Sequence, residues 1–262
     1  MRFNRRTTVC WIAGLLCAAA FSQGGGQVAG GASGPEAEFH LLRLIYATRG
    51  GGGSHGYFQP WWAIDYPLAE QHFLRALHRM TNLSLADDSI HVPLSDARIF
   101  DYPFMFLQQP GRGRWSPTDA DAANLREYLL RGGFLLVDDF HGEYEWEFFQ
   151  SAMHSVFPDR ALVDIPEDDQ LMNVVFEVDR HTPIPGRRHL YVGSDGKTEV
   201  NMEGAPHWRG VYDDRGRVMV AINHNSDMGD AWEHEDDPVY PVPMTVMAYK
   251  FGVNYVIYAM TH

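Results

Sequence analysis

Three short polar stretches hold most of the residues in this chain that could do chemistry. The longest reads Asn223-His224-Asn225-Ser226-Asp227-Met228-Gly229-Asp230-Ala231-Trp232-Glu233-His234-Glu235-Asp236-Asp237 and directly follows the apolar run 218–222. The second, Asp138-Asp139-Phe140-His141-Gly142-Glu143, follows the apolar run 134–137. The third, 48–62, opens on glycines 50–53 and carries His55, Tyr57, Gln59, Trp61 and Trp62.

Each stretch suggests a chemistry and a blander alternative. Asp139, His141 and Glu143 are the candidate catalytic set, with a neighbouring aspartate, Asp138 or Asp139, orienting the His141 imidazole for proton transfer. The alternative has Asp139 or His141-Gly142 capping the next helix, with the acids in solvent. Asp227, Asp230 and Glu233, with Asn225, offer oxygens to a divalent cation, and His224 and His234 with Asp227 make a mixed set suited to zinc. The EF-hand pattern fails, because Met228 stands at its sixth position and His234 at its twelfth, and no H-E-x-x-H occurs. The alternative is a loop whose Asn and Asp side chains fold back on the backbone, plugged to the core by Trp232. His55, Tyr57, Gln59, Trp61 and Trp62, on a mobile glycine flap, join Asn225 and Trp232 as candidate ligand-binding residues, since aromatics beside amides stack on sugar rings. Trp61 and Trp62 are equally at home as packing residues.

Other chemistries fit poorly. Gly51, Gly53 and Gly56 satisfy G-x-G-x-x-G only because four glycines in a row satisfy it trivially, and Pro60 and Pro67 block a prompt helix. A phosphate loop fails at Tyr57 and Phe58. Ser194 and Ser226 lack a G-x-S-x-G elbow. No cofactor motif is complete; a divalent cation remains an expectation.

The elements that must hold these stretches alternate. Strands are predicted over 39–47, 104–107 and 134–137, and helices over 66–80 and 143–157, the first with Leu68, Phe73, Leu77 and Met80 near one face. Between the second and third strands lies a helix with Ser116 as N-cap, Pro117 first, acids Asp119 and Asp121 in the first turn, and Gly132-Gly133 as the stop. The segments 208–212 and 217–222 flank Asp213-Asp214-Arg215-Gly216 as a hairpin. An amphipathic helix over 244–260 presents Met244, Met247, Ala248, Phe251, Tyr255 and Tyr258 on one face. Strand–helix alternation with short links predicts an α/β fold, a mainly parallel sheet between helices with an added hairpin. In such a sheet ligands gather at the carboxyl ends of the strands, so all three polar stretches are expected on one rim.

The whole chain sets further bounds. Arg2, Arg5 and Arg6 precede an apolar stretch 9–20 ending in Ala18-Ala19-Ala20, the pattern of a secretory leader over residues 1–20, on the general or the twin-arginine route. A flexible Gly/Ser/Ala linker, 21–37, follows, then one globular domain, 38–262. The expected location is periplasmic or extracellular, with no stable membrane span after leader cleavage. Both cysteines, Cys10 and Cys17, fall in the leader, so the remainder has no disulfide, thiol nucleophile or thiolate metal site. Without the three leader arginines the formal charge moves from −13 to −16, which repels phosphate backbones and argues against a nucleic-acid partner.

Several ordered motifs, Trp62-x-x-Asp65-Tyr66-Pro67, Phe100-Asp101-Tyr102-Pro103-Phe104, Gly132-Gly133-Phe134-x-x-x-Asp138-Asp139, Asn225-x-Asp227-x-Gly229-Asp230-Ala231-Trp232-Glu233 and Gly252-x-Asn254, resemble the bacterial family known as domain of unknown function 4159, over essentially 39–262. The resemblance implies a class I glutamine-amidotransferase-like, flavodoxin-like three-layer sandwich. It brings no activity. True amidotransferases carry a cysteine at the elbow where this sequence has Asp138-Asp139-Phe140-His141-Gly142, so thioester chemistry is unavailable here. Two function classes are carried forward: an exported domain binding a small molecule, a glycan or an envelope protein, and a carboxylate/histidine hydrolase, with or without a metal, acting on an envelope glycan or a related substrate.

Overall fold

The computed structural model describes residues 37–48, 50–54 and 57–262. The expected leader, and the linker up to residue 36, lie outside those residues. A seven-stranded sheet is built from β1 (Leu42–Ile45), β4 (Ile90–Pro93), β5 (Phe104–Gln108), β6 (Phe134–Phe140), β7 (Val163–Asp164), β10 (His207–Tyr212) and β11 (Val218–His224). Its order is β4-β1-β5-β6-β11-β10-β7. The first five strands are parallel, and β10 runs antiparallel to both β11 and β7. Two small hairpins stand apart, β2 (Gly51–Ser54) with β3 (Tyr57–Pro60), and β8 (Leu190–Val192) with β9 (Thr198–Val200). The helices are α1 (Leu68–Met80), α2 (Asp119–Leu130), α3 (Gly142–Val156), α4 (Met228–Glu233) and α5 (Val242–Thr261).

Strand residues alternate between two apolar layers. Phe104, Phe106, Phe134 and Leu136 pack with Phe73 and Leu77 of α1, Trp232 of α4 and Phe251 and Tyr255 of α5. Met105, Leu107, Leu135 and Val137 pack on the other face with Leu125 and Leu129 of α2 and Phe149 and Met153 of α3. The result is an α/β sandwich whose central strands are covered on both sides, as continuous apolar runs require.

Sequence-based boundaries shift for identifiable reasons. The first strand shortens to Leu42–Ile45, and Phe39 only bridges Leu85. Helix α2 begins after Thr118 rather than Ser116, because Thr118 and Asp121 form a reciprocal capping box. The Gly132 stop is as expected, with φ +114°. In α1, Met80 is exposed and Ala69, Phe73, Leu74 and Leu77 make the buried face. Helix α5 is not amphipathic in the simple sense: twelve of its twenty residues are buried. It is covered by α1, α4 and the segment near Phe176, whose backbone Asn254 bonds at 2.8 and 2.9 Å. The 208–222 hairpin forms, and its second strand joins the parallel core of the sheet beside β6.

The chain goes from β1 to β4 on one side, then crosses back to β5 on the other. That reversal opens a crevice at the carboxyl ends of β1 and β5, where adjacent connections diverge.

Candidate functional site

A cleft of about 500 Å³ lies at this edge. Its lining comes from four connections: Gly52, Trp61, Ile64 and Asp65 after β1, Gln109 and Arg112 after β5, Asp139 at the end of β6, and Asp227, Asp230, Glu233 and His234 after β11. Arg187 and Arg188, from the segment before β8, complete the wall.

Local backbone geometry aims these groups. Asp65, Gln109, Asp139 and Asn225 all have φ between +51° and +67°. Left-handed backbone at non-glycine residues costs on the order of 1–3 kcal/mol each and persists where surrounding structure over-determines it. Asp139 is pinned by its N–H donating to the Ser226 carbonyl at 3.1 Å, and Asn225 by its N–H to the Phe140 carbonyl at 3.0 Å. Arg43, buried in β1 and ion-paired to Glu70, donates to the carbonyls of Trp62 and Ile64 at 2.9 and 3.1 Å and so holds the Asp65 loop.

Carboxylates dominate the floor. Gln108 and Gln109 each donate Nε2 to the Asp139 carboxylate, and Gln108 also to Asp65. His141 Nε2 lies 3.3 Å from Asp139 Oδ1. Burial first, then the charges of Asp230 and Asp139, push the Asp65 carboxyl well above its ordinary value. Asp227 is raised in the same way, by burial and then by Asp139, Asp230 and Asp65. Burial and then Asp139 raise Asp230 to about 6. Asp139 moves the other way: burial favours its neutral form, but hydrogen bonds from His141 and Asp227 and the Arg188 charge outweigh it and lower the pKa. Neighbouring carboxyls pushed in opposite directions are the arrangement that separates an acid from a base. Desolvation works against the Arg188 charge, but Asp139, Asp227 and Asp230 prevail and raise its pKa.

The residues expected from sequence fall into groups. Asp139, Asp227, Asp230, Glu233 and Trp61 meet in the cleft, and His141 stands beside Asp139 and Asp227. Glu143 does not: it is exposed on the first turn of α3, while Glu145 accepts the His141 N–H at 2.9 Å. Asp138 turns away from His141 and accepts the N–H groups of Met228 and Gly229 at 2.6 and 3.1 Å, securing α4. Burial and then Asp139 raise it to about 8. His141 occupies the α3 N-cap position, yet its side chain makes no capping bond.

Other expectations need correction. Trp232 does not line the cleft: it is buried and stacks on Phe73 with ring centroids 4.2 Å apart. Asn225 does not line the cleft; its side chain braces backbone, accepting the Gly142 N–H at 2.9 Å and donating to the Ala205 carbonyl at 3.0 Å. Trp62 leans edge-on against His91, and Gln59 donates to the Tyr66 carbonyl at 2.8 Å. His224 does not join Asp227 and His234. It packs against Phe140 and Trp146, and its nitrogens meet the Gly142 carbonyl and Arg209. His234 instead lies 3.6 Å from Asp230. His55 and the Tyr57 side chain lie outside the described residues.

Sequence reasoning passed over Asp65, Gln108, Gln109, Arg112, Arg187 and Arg188 as site residues. Gln108-Gln109 follow an apolar run directly, so the strand-end rule that flagged Asp138-Asp139 would have found them. Asp65 sits in a motif that carries the family resemblance. The two arginines of 187–188 lie in an irregular segment with no periodicity to place it.

The family model described as Domain of unknown function (DUF4159) matches residues 43–260. The chain belongs to this family. The DUF4159 match spans every segment that builds the cleft, and no curated protein matches the chain.

Proposed function

We propose that this DUF4159 domain binds a small, polar, donor-rich ligand, such as a sugar or an amine, in the carboxylate cleft. The observation that carries the reading is the convergence of Asp65, Asp139, Asp227, Asp230 and Glu233 on one crevice from three separate connections. Carboxylates in a recessed, partly desolvated site are strong acceptors for hydroxyl and ammonium groups. Arg112 and Arg188 at the wall offer donors to the same ligand. A broad stacking groove does not fit, since Trp61 alone of the Trp61–Trp62 pair lines the cleft and the Arg112 guanidinium lies 5.1 Å from its ring centre. A short ligand therefore suits the site better than an extended glycan.

The fold supports a ligand site. Counted in chain order, the five parallel strands run 2-1-3-4-5, the flavodoxin-like order, whose ligands sit at this switch point. That order favours an amidotransferase-like sandwich that has no thiol in 37–262. The leader pattern of residues 1–20 supports a periplasmic or extracellular setting for this binding.

A second reading, hydrolysis by carboxylate and histidine, is favoured by one contact, Asp139 with both His141 and Asp227. Oxygens of the two carboxyls lie within 4.8 Å of each other, closer than the roughly 5–9.5 Å between the paired acids of glycosidases. Calorimetric titration of the full chain with neutral sugars, amino sugars and small amines separates the readings. Saturable binding without turnover supports the first, and product formation lost in Asp139→Asn supports the second.

A further inference from the structure

We infer that Asp139, His141 and Asp227 form a binding site for one divalent first-row metal ion, Zn²⁺ or Mn²⁺. One ligand atom from each residue lies within 4.8 Å of the other two, and all three residues are buried. A tetrahedral ion with bonds of about 2.1 Å holds its ligands roughly 3.4 Å apart, so side-chain rotations of under an ångström close the set.

The acids alone would not carry this inference. Two orphaned groups point to a missing partner. His141 is 2 % exposed, and its Nδ1 has no hydrogen-bond partner among the described residues. Gln109 is 1 % exposed and lines the cleft, with its Oε1 likewise unpartnered. Buried polar atoms without partners cost about 1–3 kcal/mol each, so a folded protein keeps them where something else satisfies them. With Nε2 turned to Asp139, a neutral imidazole keeps its lone pair on the unpartnered Nδ1, the group a metal ligand needs.

Supporting contacts have the arrangement a metal site needs. The Asp139 carboxylate accepts from the Gln108 and Gln109 amides, which fix its orientation. Asp227 Oδ1 accepts the Asp230 N–H at 2.9 Å. Such outer partners hold ligating oxygens in place. Gly186 has no side chain, and a methyl there would stand 2.6 Å from Asp227 Oδ2, so only glycine leaves that oxygen accessible. Asp139 and Asp227 line the cleft, so an ion held by them and His141 would keep a coordination position open to a ligand oxygen there, as in catalytic rather than structural sites. One imidazole with two carboxylates suits Zn²⁺ or Mn²⁺ better than Ca²⁺ or Mg²⁺, which prefer oxygen alone.

This inference does not depend on which organic ligand fills the cleft, and its test keeps the two apart. The full chain is stripped with a chelator, dialysed, and titrated calorimetrically with Zn²⁺, Mn²⁺, Mg²⁺ and Ca²⁺. Expected is one equivalent of Zn²⁺ or Mn²⁺ per chain, bound at least tenfold more tightly than Mg²⁺ or Ca²⁺. His141→Gln and Asp227→Asn each weaken it tenfold or more, and Glu143→Gln leaves it unchanged. Circular dichroism checks that each variant is folded. Should His141→Gln misfold, electron paramagnetic resonance of the Cu²⁺-loaded wild type reports directly on coupling to one imidazole nitrogen. Absence of a stoichiometric site, equal affinity in a folded His141→Gln, or no nitrogen coupling overturns the inference. Sugar or amine binding to the stripped protein would leave the ligand reading standing even then.

Discussion

Neutralising Asp230 while keeping its shape should stabilise the protein. Asp230 accepts the Arg187 N–H at 2.6 Å through Oδ2, a bond that an asparagine carbonyl can keep. What Asp230→Asn removes is a charge that burial and Asp139 disfavour. The Asp230 pKa rises from 3.8 to about 6 in the folded state. An acid with a raised folded pKa binds its proton more tightly when folded, so stability falls as pH rises from about 4 to about 6 and stays lower above. Two pKa units correspond to a ceiling of about 3 kcal/mol at pH 7.5, or a Tm gain of roughly 6–12 °C for a domain of this size. The assay is urea unfolding of chelator-treated protein at pH 4.0 and pH 7.5. The variant should match wild type at the lower pH and exceed it at the higher. Equal or lower stability of Asp230→Asn at pH 7.5, with an unchanged pH slope, would refute the burial and repulsion that raise the Asp230 pKa.

Three other substitutions bear on the frame around the cleft. Arg43→Met strands the buried Glu70 and should cost about 3–5 kcal/mol, most of it recovered in Arg43→Met/Glu70→Leu, as denaturant unfolding would report. If single and double variants are equally stable, the pair does not hold the Asp65 loop as described. Trp232→Ala should cost about 3–5 kcal/mol through the cavity left beside Phe73 and Phe106. Ligand affinity per folded molecule should stay near wild type, measured by calorimetry below the variant's Tm. Gly229→Ala drives a methyl into the Asp65 and Gln108 side chains and should cost about 1–3 kcal/mol by thermal melting, with weaker ligand binding in the same protein.

Much of this architecture was legible because buried parallel strands read as short continuous apolar runs. The runs at 104–107, 134–137 and 218–222 each became a central strand, and each was followed by polar residues that reach the cleft or brace it. Strand β4 was missed because His91 and Pro93 interrupt its apolar pattern in a four-residue span. Hairpin β8–β9 was missed because its strands are three residues each, with Tyr191, Val192 and Glu199 turned outward. Within the site, type and spacing found Asp139, His141 and Asp227, since all three lie within three residues of a strand end. Asp138 and Asp139 could not be separated by sequence, because the left-handed backbone at Asp139, which sequence does not show, decides that one braces α4 and the other faces the cleft. Trp232 was misjudged for a related reason: its loop coils into α4 and turns the indole inward.

If the converging carboxylates make one ligand site, saturation-transfer NMR will detect a small ligand bound there. Neutral sugars, amino sugars and small amines are presented in turn to wild type and to folded Asp139→Asn and Asp227→Asn. Saturable transfer to at least one class is expected in wild type, with its loss in both variants. Transfer to no class, or transfer that both variants retain in full, would contradict a ligand site there.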